Sequence, residues 1–248
     1  MKVAIVTGSS LGIGAATAME LSRRGWRVVV NYSKSKEQAE QTQKACKESI
    51  AVQANVSDDA DCRKLAKAAL DKWGRIDALV NNAGTTKFVA HPKLDELSDE
   101  DFIRIYRVNV VAAFQMTRAC APALKEARGA VVNVSSLAAF LGTGSSIAYA
   151  ASKGALNTMT YSLARVLGPE IRVNAVQPGF VDTPWMNAGY GPERYAELAQ
   201  RYADNAPLRT TCKPEDIADA IVWLVEGARM VTGETLFVDS GFHLATPR

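Results

Sequence analysis

The chain has 248 residues, 48% of them hydrophobic and 22% charged, which is the make-up of an ordinary globular protein. Its formal net charge of +3 is too small, and its Lys and Arg residues too scattered, to imply a nucleic acid or an anionic membrane as partner. No apolar run approaches the ~20 residues of a membrane span and none near the start suits a signal peptide, so a cytoplasmic protein is expected.

Short apolar runs alternate with longer amphipathic stretches from end to end. Strands are predicted at Val3–Thr7, Val28–Tyr32, Ala51–Val56, Ala78–Asn81, Ala130–Ser135, Arg172–Gln177 and Thr235–Asp239. They are rich in β-branched residues and mostly not alternating, as strands buried on both faces should be. The first helix opens near Gly12 and stops at Gly25, a left-handed C-cap candidate. Ser35-x-x-Gln38 and Ser98-x-x-Asp101 resemble capping boxes, and Leu97 with Phe102 fits a hydrophobic staple. Ser57 before Asp58 and Asp59 predicts another helix start. Repeated strand–helix–strand units predict an α/β, Rossmann-type doubly wound parallel sheet of about seven strands, with helices on both faces and one domain over residues 1–248. Cys46, Cys62, Cys120 and Cys212 form no C-x-x-C pair, so they read as small core residues, and no metal is expected.

Between the first strand and helix lies IVTGSSLGIGAA, residues 5–16. Gly8-Ser9-Ser10-Leu11-Gly12 matches G-x-S-x-G, the turn that exposes a nucleophilic serine in hydrolases. That chemistry needs earlier strands, an acid and a histidine base. The turn follows the first strand, and His91 and His243 lie in no recognisable context. The alternative is a phosphate cradle. Gly8 permits the tight turn, Gly12 lets backbone approach a diphosphate, Gly14 allows close helix packing, and free N–H groups at the helix start face the anion.

Further along come Asn81-Asn82-Ala83-Gly84, Ser136, Tyr149-Ala-Ala-Ser-Lys153 and Pro178-Gly179, each at or soon after a strand end. T-G-x-x-x-G-x-G, N-N-A-G, Ser, Y-x-x-x-K and P-G in this order resemble the single-domain short-chain dehydrogenases/reductases. The resemblance runs from about Val3 to Gly241 and is nearest to 3-oxoacyl-(acyl-carrier-protein) reductases. It implies a hydride-transferring oxidoreductase acting on a carbonyl or secondary alcohol.

Tyr149 and Lys153, four apart on a helix, share one face. A cation about 4 Å from a phenol is worth up to ~4 kcal/mol at an effective dielectric near 20, or about three pK units. Partly offset by desolvation, that predicts a Tyr149 pKa of roughly 7–9. The resemblance assigns Tyr149 as general acid/base and Lys153 as holder of the nicotinamide ribose. Ser136, thirteen residues before the tyrosine, binds the reacting oxygen, and Asn109 binds a relay water. In isolation Asn109 reads as a core asparagine that satisfies nearby backbone.

The resemblance also implies a dinucleotide held by Gly8, Ser10, Leu11, Gly12, Ile13 and Gly14, by Asn82, Ala83 and Gly84, and by Tyr149 and Lys153. Pro178, Gly179, Val181 and Thr183 would hold its carboxamide end. Asn31 stands where NAD-binding sites usually carry an acid, followed by Tyr32, Ser33, Lys34, Ser35 and Lys36. A site without an acid accepts a 2′-phosphate, so NADP(H) is favoured over NAD(H), although Leu11 replaces a common basic residue. Lys34 and Lys36 also read as a solvated helix start. Asn55-Val56 replaces Asp-Val at the adenine.

Residues 183–211 are expected to form a substrate lid, with Trp185, Met186 and Tyr190 beside Ser136 and Tyr149 in an apolar pocket. Tyr195, Leu198, Ala199 and Tyr202 follow helical packing spacing. Lys125 and Arg128 would suit an acyl carrier protein, but Pro169-Glu170 occupies a turn that is commonly basic, so a small carbonyl or alcohol is the favoured partner. Relatives form tetramers, and a homotetramer is expected. Alternatives are an NAD-dependent alcohol or sugar dehydrogenase of the same family and a nucleotide-sensing regulator without activity.

Overall fold

Seven apolar segments pair in parallel into one sheet in the computed structural model, which describes residues 1–245. They are β1 (Val3–Val6), β2 (Arg27–Tyr32), β3 (Ser49–Gln53), β4 (Ala78–Asn81), β5 (Ala130–Val134), β6 (Arg172–Pro178) and β7 (Thr235–Val238). Their order, β3-β2-β1-β4-β5-β6-β7, reverses direction between β1 and β4. In such sheets ligands bind at that switch point, beyond the carboxyl ends of the strands. The register sets Ile5 beside Val29 on one side and Leu79 on the other, a fully apolar sheet centre.

Ten helices punctuate the described chain. On one face lie α1 (Gly12–Arg23), α2 (Lys36–Ala45) and α10 (Pro214–Glu226), packed through Ala18, Leu21, Ala39, Ile217 and Ile221. On the other lie α3 (Asp59–Trp73), α5 (Ala112–Ala127) and α7 (Ile147–Leu167), packed through Leu65, Met116, Leu124 and Leu163. The doubly wound architecture is therefore the one predicted. The remaining helices are α4 (Asp99–Tyr106), α6 (Ala138–Leu141), α8 (Pro184–Tyr190) and α9 (Pro192–Asn205). All four cysteines are free and buried, and burial pushes the Cys62 and Cys120 thiols up to about 12, far from reactivity at neutral pH.

Gly25 takes the left-handed conformation expected just after α1, and Ser98 with Asp101 forms the predicted capping box of α4. Other boundaries need correcting. β3 runs over Ser49–Gln53 rather than Ala51–Val56, because Asn55 N–H leaves the ladder to bond Asp61 Oδ2 at 2.6 Å. Asp58, not Ser57, caps α3, accepting from Ala60 N–H at 2.8 Å, since the Ser57 hydroxyl is turned back to Asn55. Ser35 precedes α2 but its side chain caps nothing.

Candidate active site

The glycine turn leaves β1 with Gly8 at φ +60° and Gly12 at φ +56°, conformations that favour glycine. A Cβ on Gly14 would lie 2.5 Å from Asn82 Nδ2 and 2.6 Å from the Gly8 carbonyl oxygen, so nothing larger fits. Asn82 locks the turn from β4 by donating to the Thr7 and Gly8 carbonyls at 2.9 and 3.0 Å. Thr7 Oγ1 accepts from Asn82 and Ala83 N–H, both at 3.0 Å. Leu11 at the N-cap offers no acceptor, and the first turn of α1 holds no acid. The N–H groups of Gly12, Ile13 and Gly14, beside half-buried Ser10, are thus left for an anion, as a dinucleotide's diphosphate requires. Thr183, which caps α8, brings its methyl within 3.4 Å of the Cβ position of Gly12, so the segment after β6 lies against this turn.

Lys153 and Tyr149 converge from the first turns of α7. Lys153 is only 4% exposed, and its Nζ donates to the Val134 carbonyl at 2.7 Å and lies 5.6 Å from the Tyr149 ring centroid. Burial pulls its pKa down to about 8. Tyr149 corrects the pKa expected of it. Burial pushes its hydroxyl up to about 12 rather than down to 7–9, with the Ser136 hydroxyl pulling the other way. Desolvation is the largest cause, while the ammonium of Lys153 is hydrogen-bonded to the Val134 carbonyl. Ser136 thus faces Tyr149, whereas Ser135 Oγ donates back to the Lys153 carbonyl at 3.2 Å.

Asn109 sits in a π-turn, Arg107–Val111, between α4 and α5. Such turns recur at functional sites. Its Oδ1 accepts from Thr85 N–H at 2.8 Å, and its Nδ2 donates to Thr85 O at 3.0 Å and Ser152 Oγ at 2.9 Å. The side chain therefore ties the loop after β4 to α7, and Gly84 faces both Asn109 Oδ1 and Lys153 Nζ. Ser152, which sequence reading missed, extends this tie by donating to the Tyr149 carbonyl at 2.7 Å. Beneath it, Asn81 donates to Asn133 and Asn133 to Thr160, each at 2.9 Å, binding β4 and β5 to α7.

Several residues expected at the cofactor also bond or pack within the protein. Asn31 is 2% exposed; its Oδ1 accepts from Gly8 N–H at 3.0 Å and its Nδ2 donates to Ala54 O at 3.0 Å. Its amide is hydrogen-bonded to the turn, and Ser33 and Lys34 are exposed beyond β2. Lys36 pairs with Glu40. Tyr32 packs its ring into the core beneath α2. Val181 is likewise core, bridged to Cys212. Val56 is buried, and Asn55 Oδ1 accepts from the N–H and hydroxyl of Ser57, at 3.2 and 2.8 Å, which fills the carbonyl expected at adenine. Pro178 closes β6, and a side chain on Gly179 would strike Tyr202.

Beside Tyr149, Trp185 lies at 6.2 Å between ring centroids, and Tyr190 is half-buried nearby. Met186 instead packs into the cluster of Leu137, Phe180 and Tyr202 beneath α9, where Tyr195, Leu198 and Ala199 also pack. Sequence reading missed Phe88, which contacts Trp185 and Tyr190. Its position four residues after N-N-A-G was the only available signal.

The hydrolase alternative has no base. Among the described residues no histidine meets Ser10: His243 Nδ1 bonds Asp239 at the end of β7, and His91 lies in the loop after β4. No group of three or more His, Cys, Asp or Glu there could hold a metal. No described helix is long and apolar enough to cross a membrane.

A family profile described as Enoyl-(Acyl carrier protein) reductase matches residues 8–243. A protein provisionally named ketoacyl reductase 2 of the granaticin polyketide synthase, from Streptomyces violaceoruber, is 44% identical over 98% of this chain and 96% of its own. Glucose 1-dehydrogenase 2 of Bacillus subtilis is 37% identical over 98% and 95%. A crystal structure from Burkholderia xenovorans, provisionally identified as a short-chain dehydrogenase/reductase, superimposes with a TM-score of 0.91 at 41% identity, covering 99% of both chains.

Proposed function

Because the chain belongs to the short-chain dehydrogenase/reductase family, whose members use NAD(P)(H), we propose that it reduces a small ketone with NADPH and that Tyr149 is the proton donor. That it is an oxidoreductase acting on C=O or CH–OH follows from its relatives. The observation carrying the finer reading is the convergence of Tyr149, Ser136 and Lys153, with Lys153 beside Gly84 and the neighbouring Ala83 packed on Gly8 of the glycine turn.

The nicotinamide, when bound, supplies or takes up the hydride. Everything else falls to the chain. Ser136 donates a hydrogen bond to the substrate oxygen, where charge builds as the carbonyl is reduced. Tyr149 passes its hydroxyl proton to that oxygen, completing the alcohol, and recovers a proton from solvent. A phenol held near 12 is protonated at neutral pH, so it carries the proton that reduction of a carbonyl requires. Lys153 and Gly84 line the floor on which the ribose would lie, with Asn109 and Ser152 holding that floor in place.

NADPH is preferred over NADH because residues 31–36 at the end of β2 include no Asp or Glu, and Lys34 among them is exposed. Helices α8 and α9 cover the substrate, and the chain works in the cytoplasm as a homotetramer. Phe114 and Val166, 43% and 74% exposed on α5 and α7, are the apolar surface such an assembly would bury. The test is an absorbance assay at 340 nm with both cofactors and a panel of ketones, aldoses and acyl-carrier thioesters. Consumption of neither cofactor with any carbonyl would sink this reading. Preference for NADH, or for the thioester, would overturn its cofactor or substrate part.

A further inference from the structure

Outside the proton-transfer groups, the least explained feature of the site is a continuous run of aromatic rings. Phe88 lies 4.8 Å from Tyr190 at 77° and 5.5 Å from Trp185 at 56°, and Trp185 lies 6.2 Å from Tyr149 at 44°. Phe88 is seated on Gly189, where any side chain would collide with its ring, so the loop after β4 and helix α8 are fitted to each other there. These rings do not serve the lid's own core, which is the separate cluster around Phe180, Tyr202 and Met186. Trp185 leaves 44% of itself exposed. An exposed tryptophan backed by two other rings and leading to a reactive phenol is a surface built for contact with a ligand.

We propose that Phe88, Trp185 and Tyr190 form an aromatic wall that makes this enzyme select flat ketones carrying an aromatic ring. The inference rests on the reading of Tyr149 as proton donor. Ring edges and faces offset at these angles favour another π-system over a saturated chain of equal area. A cationic ligand, the other usual occupant of an aromatic cage, is opposed at both ends. Lys153 stands at the inner end near Tyr149, and Arg194 is close enough to Tyr190 to oppose the rise of its pKa. Gly144 borders the Tyr149 ring, where a Cβ would sit 3.7 Å from Tyr149 Cδ1. The product would be a secondary alcohol on a ring fused or attached to an arene, so the step supplying the substrate must build an aryl-bearing ketone or oxidise an aryl-bearing methylene carbon to one.

The experiment compares 2-tetralone with 2-decalone, bicyclic ketones of equal carbon count whose carbonyls are both unconjugated. Wild type, Trp185→Leu and Phe88→Leu are assayed with each cofactor, their folding checked by thermal melts. The aryl-to-saturated ratio of kcat/KM should fall about ten-fold in either variant, chiefly through KM, the size of one aromatic pair. A ratio near one in wild type, or one unchanged in both variants, overturns the wall. A binding arm separates failure of the wall from failure of the catalytic reading: 2-naphthol should quench the fluorescence of wild type more than that of Trp185→Leu. If no carbonyl is reduced, this difference still supports the wall, and its absence overturns it.

Discussion

Lys153 Nζ and the Val134 carbonyl oxygen are joined by a 2.7 Å hydrogen bond, which holds the buried ammonium 5.6 Å from the Tyr149 ring centroid. Burial costs the charged form enough to bring its pKa from 10.5 to about 8. Between those values the unfolded chain holds a proton that the folded chain has released, so stability rises with pH over about 8–10.5 and the full burial penalty is present below 8. A shift of that size corresponds to about 3 kcal/mol, of which the lost bond to Val134 returns about 1 kcal/mol. Lys153→Met should therefore melt several degrees above wild type at pH 7 while losing activity. The gap should narrow by pH 10; a gap independent of pH refutes the assignment.

Tyr149→Phe removes the proton donor and leaves the ring in place against Trp185. Turnover should fall by about 10²–10⁴, the usual worth of a positioned general acid. Cofactor affinity, read by quenching of protein fluorescence, should change little. Wild-type oxidation of an alcohol should climb as pH rises towards the tyrosine's pKa of about 12, since oxidation needs the phenolate. Oxidation already at its plateau at pH 7 would show that burial is not setting this group's pKa.

Asn31→Asp looks from the sequence like a switch towards NADH. The geometry gives another outcome. The substitution removes the donor to Ala54 O and sets a carboxylate against the peptide groups of a buried turn, although Gly8 N–H can still be accepted. Melting should drop, at a cost of about 1–3 kcal/mol for the stranded carbonyl, and both cofactors should bind less well. Lys34→Ala is the cleaner probe. It should raise KM for NADPH several-fold and leave NADH nearly unchanged; equal effects on both would place Lys34 outside the 2′-phosphate contact.

Much of this site was legible in the sequence because its parts are local. Gly8, Gly12 and Gly14 announce a tight strand–helix turn, and Tyr149 and Lys153 share a helix face wherever that helix lies. Buried strands announced the sheet for the same reason. What stayed hidden depends on contacts across the sheet. Whether Asn31 meets ligand or backbone is decided by Gly8 and Ala54, one before it and one after it in the chain. The partner of Lys153 is decided by the end of β5, and Phe88 becomes part of the site only because α8, a hundred residues later, folds over it. The Tyr149 pKa was misjudged for the same cause: spacing gave the neighbour but not the depth of burial.

Gly14→Ala tests the cradle itself. The added methyl would meet Asn82 Nδ2 at 2.5 Å, the Gly8 carbonyl oxygen at 2.6 Å and Ser9 Cα at 2.9 Å. Two of these are backbone and the third is pinned by bonds to Thr7 and Gly8, so none can retreat cheaply. Relief requires α1 to shift away from β4, which opens the turn that presents the N–H groups of Gly12 and Ile13. Overpacking of this kind typically costs about 1–3 kcal/mol. The protein should still fold, with a lowered melting point, and bind either dinucleotide at least ten-fold more weakly, since one displaced charge-assisted contact is worth about 1.5–3 kcal/mol. Gly74→Ala is the control: that glycine also has positive φ, at +71°, but has open space around its Cβ position and lies at the far end of α3. It should lose stability through backbone strain alone and keep its affinity for dinucleotide. Equal loss of affinity in both variants would mean that the turn after β1 is not where the diphosphate sits.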